Sequence, residues 1–393
     1  MPSELEQIGL STYSQLQAIK VDSRKVMPGD IFVALRGGHQ FIAKAYENGA
    51  SIVIAENGGT VDVPDTVLWL KEAARLYIKQ LNAVVIGVTG SVGKTTLTQS
   101  LRVVLSNYGK VIATQGNQNN EIGCALTILK APLSTEYLIL EMGVAKPFDM
   151  DYLVDMVQPD IAVITEIGAT HLQDLNSNQG IWAEKIKISA PHTQLIYTSR
   201  RKFQTVKPVL EAYYDQHGVM LNQRLVKLQQ SYTCRVSQTV VSGVIAVLNL
   251  LGLKHPKTLA IESVAQRACL KLHSNGAVWI DDSYNASLMA YFYALEALSC
   301  YRQKKVLVAG EMGGLGAQSA KVHQFFVKRL NCADLEHVIF YGPAMYEPWM
   351  SYLGEASFVS DEAALDSLLN QYSSQDYVVW IKGSRHLKME SIL

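Results

Sequence analysis

Cysteine is scarce and scattered: Cys124, Cys234, Cys269, Cys300 and Cys332 lie far apart, with no CxxC pair among them. An odd, dispersed set excludes a disulfide framework and a cysteine zinc site, and reads as reduced thiols in a cytoplasmic protein. Excess charge is absent too, since Lys plus Arg is 35 and Asp plus Glu is 35. That balance argues against a nucleic-acid-binding surface while leaving room for a local phosphate pocket. No low-complexity or single-charge run occurs, which disfavours disorder. Residues 1–16, MPSELEQIGLSTYSQL, hold acidic side chains and no apolar run, so a signal peptide is not expected. The most apolar long window, Val236–Leu253, contains Ser237, Gln238, Thr239, Ser242 and Asn249 and suits a buried helix better than a membrane span. What is left is a globular enzyme, with 393 residues at 48% hydrophobic content for two or three domains with separate cores.

Three segments follow from the pattern. Up to residue 80, short apolar runs (Asp30–Leu35, Ser51–Ala55) flank a helical stretch, Phe41–Gly49, and predict a small N-terminal α/β domain. From 81 to 255, continuous apolar strands at Ala83–Val88, Tyr137–Leu140 and Ile161–Thr165 alternate with helical patterns, as in a doubly wound parallel sheet covered on both faces. Residues 256–393 repeat that alternation with strands at Ala277–Ile280, Lys305–Ala309, His337–Tyr341 and Tyr377–Ile381, which predicts a smaller, Rossmann-like C-terminal domain. The fold class is α/β in three domains.

The strongest local signal is Thr89-Gly-Ser-Val-Gly-Lys-Thr-Thr96, between a strand and a helix. Gly90, Ser91, Val92 and Gly93 can turn backbone N–H groups around phosphate oxygens, and the helix terminus adds a favourable dipole. Lys94 supplies a point charge for the β- and γ-phosphates, and the Thr95 hydroxyl can ligate Mg²⁺ beside Thr96. Val88 stands where the common form of this loop has its first glycine. The alternative is an ordinary glycine turn before a helix.

Other candidates are weaker alone. Glu141 ends an apolar strand, where a carboxylate can hold a metal near the phosphate loop, although a surface residue is the default there. His171 follows another strand in Glu166-Ile-Gly-Ala-Thr-His171; a lone histidine is more often a satisfied polar residue than a ligand. Both sit at the carboxyl ends of parallel strands, where α/β sheets bind ligands. Lys185 reads as a solvated helix charge, Asn117–Gly123 as a polar loop, Asp281–Ser287 as an N-cap cluster and Lys382–Arg385 as a turn.

In order along the chain, however, these segments resemble the Mur ligase family, and within it the branch that adds D-alanyl-D-alanine to UDP-muramoyl-tripeptide. Val21-Asp-Ser-Arg-Lys25 is similar to the family's uridine-nucleotide segment, TGSVGKTT to its ATP loop, and Gly116–Gly123 (GNQNNEIG) to the stretch that marks the branch. LEMG (Leu140–Gly143) and ITEIGATHL (Ile164–Leu172) match its metal-binding strand ends; DDSYNAS (Asp281–Ser287) and KGSR (Lys382–Arg385) are similar to its closing domain. The resemblance implies ATP-dependent amide formation: a carboxylate is activated as an acyl phosphate, an amine attacks, and amide, ADP and phosphate leave. It implies Mg²⁺ on Thr95, Glu141 and His171, and a carbamylated Lys185 that orients a second Mg²⁺. By the same resemblance Asn119, Asn120 and Glu121 line the ATP and acceptor side of the cleft. Arg267, Asp282, Tyr284 and Asn285 meet the nucleotide on domain closure. Ser23 and Arg24 belong to the UDP-substrate segment, and Lys382, Ser384 and Arg385 meet the incoming dipeptide's carboxylate. A cleft between three domains can work in a monomer, and the expected partners are small molecules, with no nucleic acid and no membrane span.

The sequence departs from the family around adenine and the hinge. Cys234–Ser242 lacks the usual His and Asn pair, Ser287-Leu288 replaces an Asn-Pro, Gly310–Gly316 (GEMGGLG) replaces GDMxELG, and Gln266-Arg267 stands for Pro-Gly-Arg. Looser adenine recognition is the expectation. A ligase for a different acid and amine, and a degenerate nucleotide-binding paralogue, are the competing expectations; a GTPase is disfavoured by the lack of an NKxD motif.

Overall fold

The structure is a computed structural model and describes residues 4–10, 12–168, 175, 177–198, 209–215, 218–229, 235–259, 261, 264–272 and 276–392. Three sheets follow one another along the chain. The first holds β1 (Ile19–Lys20), β2 (Ile31–Val33), β3 (Ile52–Ala55) and β4 (Val61–Asp62), all parallel and in chain order. Every residue of β2 is buried, as a sheet covered on both faces requires. The helix Thr66–Ile78 follows, started by Asp65, whose carboxylate accepts the Val67 and Leu68 N–H groups at 2.7 and 2.9 Å. The sequence reading lacked this helix. It packs on the helices Glu121–Leu129 and Asp149–Val157 of the next unit, so that Trp69, Leu70 and Tyr77 share one core with Cys124, Ile128 and Leu153. Tyr77 Oη also donates to the Ala131 carbonyl at 2.7 Å, binding the two units together.

The second sheet has eight strands: β5 (Val84–Thr89), β6 (Val111–Ala113), β7 (Tyr137–Glu141), β8 (Ile161–Ile164), β9 (Gln194–Tyr197), β10 (Val209–Asp215), β11 (Gly218–Leu221) and β12 (Arg224–Lys227). Their order is β12-β11-β10-β9-β8-β5-β7-β6, parallel from β10 to β6, with β11 and β12 added antiparallel at one edge. After β5 the chain runs first to β6 and β7 on one side, then crosses to β8 on the other. This reversal opens a crevice at the carboxyl ends of β5, β7 and β8, where ligands bind in such sheets. The window read as a buried helix is the helix Arg235–Leu250, whose Val240, Val244, Ile245 and Val247 pack with Leu97 and Leu101 of the helix Lys94–Leu105. Each such side chain contributes about 1.5–3 kcal/mol by burial.

The third sheet joins β13 (Cys269–Leu272), β14 (Val278–Asp282), β15 (Lys304–Gly310), β16 (His337–Tyr341), β17 (Ala356–Val359) and β18 (Tyr377–Lys382) in the order β13-β14-β18-β15-β16-β17. Only β13 is antiparallel. Inserting β18 between β14 and β15 makes a second switch point, which gathers Asp282, Gly310 and Lys382 at adjacent strand ends. Among the described residues, no helix is long and apolar enough to cross a membrane.

Candidate active site

β5 ends at Thr89 and the helix Lys94–Leu105 begins after four intervening residues, so the turn must be tight. Gly90 and Gly93 adopt φ of 143° and 89°, and at Gly90 an added Cβ would sit 1.9 Å from Thr165 Oγ1. Only glycine fits there. The turn is anchored to the segment after β8: Ser91 N–H donates to the Glu166 carbonyl at 2.7 Å, and Thr165 Oγ1 donates to the Val92 carbonyl at 2.7 Å. Ser91 Oγ donates to the Gly168 carbonyl at 3.0 Å. The loop is therefore preset as an anion cradle at a helix terminus rather than formed on demand.

Glu141, the last residue of β7, is 1% exposed. Its Oε2 accepts the Thr95 hydroxyl at 2.7 Å, and its Oε1 accepts Asn119 Nδ2 at 2.8 Å. Its own N–H donates to Thr114 Oγ1 at 3.0 Å. A buried carboxylate held by neutral donors faces the phosphate loop, so the default of a surface glutamate does not apply. Asn120 caps the helix Glu121–Leu129, accepting the Gly123 N–H at 2.9 Å, and Glu121 pairs with Arg36 of the first unit. Asn117–Gly123 is thus a loop only as far as Asn120.

Lys185 is not a solvated helix charge: it is 2% exposed, on the helix Asn178–Ile186. Burial pushes its ammonium well below the ordinary lysine range, Lys94 pushes the same way, and Glu141 and Glu184 offset part of this. Burial also lowers Lys94; Glu141 opposes that shift and Arg267 adds to it. Lys94 Nζ lies 3.4 Å from the Ser91 carbonyl. Buried Lys185 and half-buried Lys94, neither in an ion pair among the described residues, bring positive charge to the phosphate loop.

The third unit closes the cleft. Lys382 Nζ donates to Asp282 Oδ2 at 2.7 Å and to the Asn285 carbonyl at 3.0 Å, while Trp380 Nε1 donates to the same Asp282 oxygen at 3.2 Å. Lys382 is consequently a buried structural tie and not a free cation. The Tyr284 ring meets two guanidinium groups, Arg267 at 4.1 Å and Arg385 at 5.9 Å from its centroid. Arg385 also pairs with Glu390 and donates to Gln266. Ser384 Oγ accepts the Gly313 N–H at 2.6 Å.

A cleft of about 1550 Å³ runs between the three units. It is lined by the phosphate loop from Gly90 to Lys94 with Thr96, by Asn119, Asn120, Glu121, Glu141 and Lys185, and by Arg267, Asp282, Tyr284, Asn285, Lys382, Ser384 and Arg385. Thr95 is buried just behind it. Ser23 and Arg24 do not line it: Ser23 is buried, and Arg24 is exposed and paired with Asp22. His171 lies outside the described residues. The cleft also holds residues the sequence reading missed, among them Arg36, Phe148, Tyr152 and His386. Arg36 lies just beyond the carboxyl end of β2, so the strand-end rule could have found it. Val236, within the stretch that departs from the family's pattern, lines the cleft beside Gly93.

Against known proteins, the Mur ligase middle domain matches residues 88–211 and the Mur ligase glutamate ligase domain matches residues 267–385. UDP-N-acetylmuramoyl-tripeptide–D-alanyl-D-alanine ligase of Bacillus subtilis is 28% identical, over 96% of this chain and 92% of the relative. The enzyme of that name from Synechocystis is 30% identical, over 80% of this chain and 77% of its own. The crystal structure of MurF ligase from Thermotoga maritima in complex with ADP superposes with a TM-score of 0.82 at 27% identity, covering 97% of both chains. The phosphate loop, the strand-end carboxylate and the three-sheet architecture agree with these matches, and the chain belongs to the Mur ligase family.

Proposed function

We propose that the chain is an ATP-dependent, ADP-forming ligase that joins D-alanyl-D-alanine to UDP-N-acetylmuramoyl-tripeptide in peptidoglycan synthesis, in the cytoplasm and as a monomer. The observation that carries this is the single cleft holding the phosphate loop and Glu141 of one unit together with the Tyr284 stack and the Ser384–Arg385 turn of another. The first unit, residues 1–80, takes the UDP-substrate, with Arg36 in the cleft and Ser23 and Arg24 toward the uridine. The central unit, 81–255, takes ATP, and residues 256–393 close on ATP and the amine.

In this mechanism the phosphate-loop N–H groups and Lys94 hold the phosphates and screen two anions from each other, the γ-phosphate and the attacking substrate carboxylate. The donor set fits a hard cation: a hydroxyl and a buried carboxylate, with Asn119 fixing the carboxylate's second oxygen. Thr95, Glu141 and, by resemblance, His171 would hold Mg²⁺, which supplies charge neutralisation between the phosphates. Lys185 is buried beside Lys94 with a depressed pKa, which favours the neutral amine that carbamylation requires; a carbamate there would turn a costly cation into a ligand for a second Mg²⁺. Arg385 suits the dipeptide carboxylate by its fork of donors. Asp282, Tyr284 and Asn285 face the nucleotide, and Arg267 bridges to it from the hinge. The apolar Val236 beside the loop supports looser adenine contacts.

The test is phosphate release from ATP and Mg²⁺ with UDP-muramoyl-tripeptide, with and without D-alanyl-D-alanine. Release that needs both substrates, with the pentapeptide product seen by mass, supports this function. Turnover only with another acid or amine would move the chain to a different substrate pair, and no ATP binding would overturn the enzyme reading.

A further inference from the structure

One titratable pair at the cleft wall, of which His386 lines the cleft, has no part in the roles assigned so far. Glu311 follows β15, and its carboxylate is fixed on both sides: Oε2 accepts the Ala344 N–H at 2.8 Å, and Oε1 meets His386 Nε2 at 2.7 Å. His386 comes directly after the Ser384-Arg385 turn, and its half-exposed ring lines the cleft beside Gly313, Gly314 and Ser384. An ionised carboxylate only accepts hydrogen bonds, so Nε2 carries the hydrogen it shares with Glu311. The other nitrogen, Nδ1, is then the basic one. A Cβ added at Gly313, a residue of the cleft wall, would lie 3.6 Å from it.

An amine substrate enters as an ammonium, which has no lone pair to attack a carbonyl. We propose that His386 is the general base that takes a proton from the incoming ammonium, with Glu311 holding its tautomer and stabilising the imidazolium formed. This rests on the ligase function proposed for the chain. The N–H bond of the ammonium breaks and its proton goes to Nδ1. The freed lone pair then forms the C–N bond to the acyl phosphate. The second proton leaves with the phosphate oxygen as the C–O bond breaks, so atoms and charge balance. A carboxylate-oriented imidazole at hydrogen-bonding reach of the cleft is the arrangement general base catalysis requires. Of the charged or titratable groups near it, Arg385 also pairs with Glu390, Lys382 is tied to Asp282, and buried His323 accepts the Met312 N–H.

The test compares two nucleophiles in the wild type and in His386→Gln, with ATP, Mg²⁺ and UDP-muramoyl-tripeptide present. Hydroxylamine is already neutral at pH 7 and traps an acyl phosphate as hydroxamate without needing a base. The variant is expected to form hydroxamate within twofold of wild type. Its ligation of D-alanyl-D-alanine should fall by about tenfold or more at pH 7, because only about one in ten α-amino groups is neutral there. Above pH 9 the deficit should close. Equal loss with both nucleophiles, a deficit constant across pH, or no deficit would each overturn the assignment. A deficit confined to the dipeptide KM at every pH would make His386 a carboxylate contact, and would overturn it as well. No hydroxamate from the wild type would overturn the ligase function and this assignment with it.

Discussion

The Thr95 hydroxyl donates to Glu141 at 2.7 Å, so the first turn of the phosphate-loop helix and the end of β7 form one rigid corner. Asn119 fixes the second oxygen from the head of the next helix. Glu141→Gln keeps the shape but removes the charge and one acceptor. Folding stability should fall by only about 1 kcal/mol. Ligase activity should fall at least about a hundredfold, and the Mg²⁺ needed for half-maximal rate should rise. Titrating activity against Mg²⁺ checks this, and wild-type behaviour would contradict it.

Lys185 makes a second, opposite prediction about stability. Its native pKa is depressed by burial and by Lys94. Between that depressed value and the ordinary lysine value of about 10.4 the unfolded chain binds a proton that the native chain lacks. Stability therefore rises with pH through that window. Lys185→Met removes the penalty. Thermal melts in CO₂-free buffer should show the variant a few degrees above wild type at pH 7, with the gain shrinking toward pH 10, while ligase activity is lost. A variant less stable than wild type at pH 7 would contradict this.

At Gly90 the backbone and the space both demand glycine: φ is 143° and a Cβ would meet Thr165 Oγ1 at 1.9 Å. Gly90→Ala should cost about 2–4 kcal/mol in urea unfolding and abolish nucleotide binding. Adding Thr165→Gly relieves the contact but not the backbone strain. The double variant should recover part of the stability and none of the binding.

Tyr284 contacts both Arg267 and Arg385 through its ring. The contact uses the ring face, so Tyr284→Phe should leave the ATP KM within about twofold. Tyr284→Ala loses a cation–π contribution of about 1 kcal/mol and frees both arginines, and should raise that KM about three- to tenfold. Steady-state kinetics of the two variants decide it, and equal effects would contradict the stacking role.

The parallel strands were legible because buried strands are continuous apolar runs: β5, β7, β8, β15, β16 and β18 all fall on such runs, with ends that differ by at most one residue. The phosphate loop was legible because glycine, lysine and threonine types report its chemistry directly. The helix Thr66–Ile78 was missed although Asp65 marks its start; its partners, the helices Glu121–Leu129 and Asp149–Val157, lie in another unit. The edge strand β12 carries little apolar signal because an edge is half solvated. The burial of Lys185 and the tie between Lys382 and Asp282 depend on what folds over them, and no local pattern encodes that. His386 was not singled out, because its partner Glu311 is 75 positions away.

The most direct test of carboxylate activation is isotope transfer. UDP-muramoyl-tripeptide labelled with ¹⁸O in its reacting carboxylate is turned over with ATP and D-alanyl-D-alanine, and the released phosphate is analysed by mass. An acyl phosphate delivers one labelled oxygen to each phosphate formed. Phosphate without label, with all of it retained in the peptide or lost to water, would contradict the mechanism.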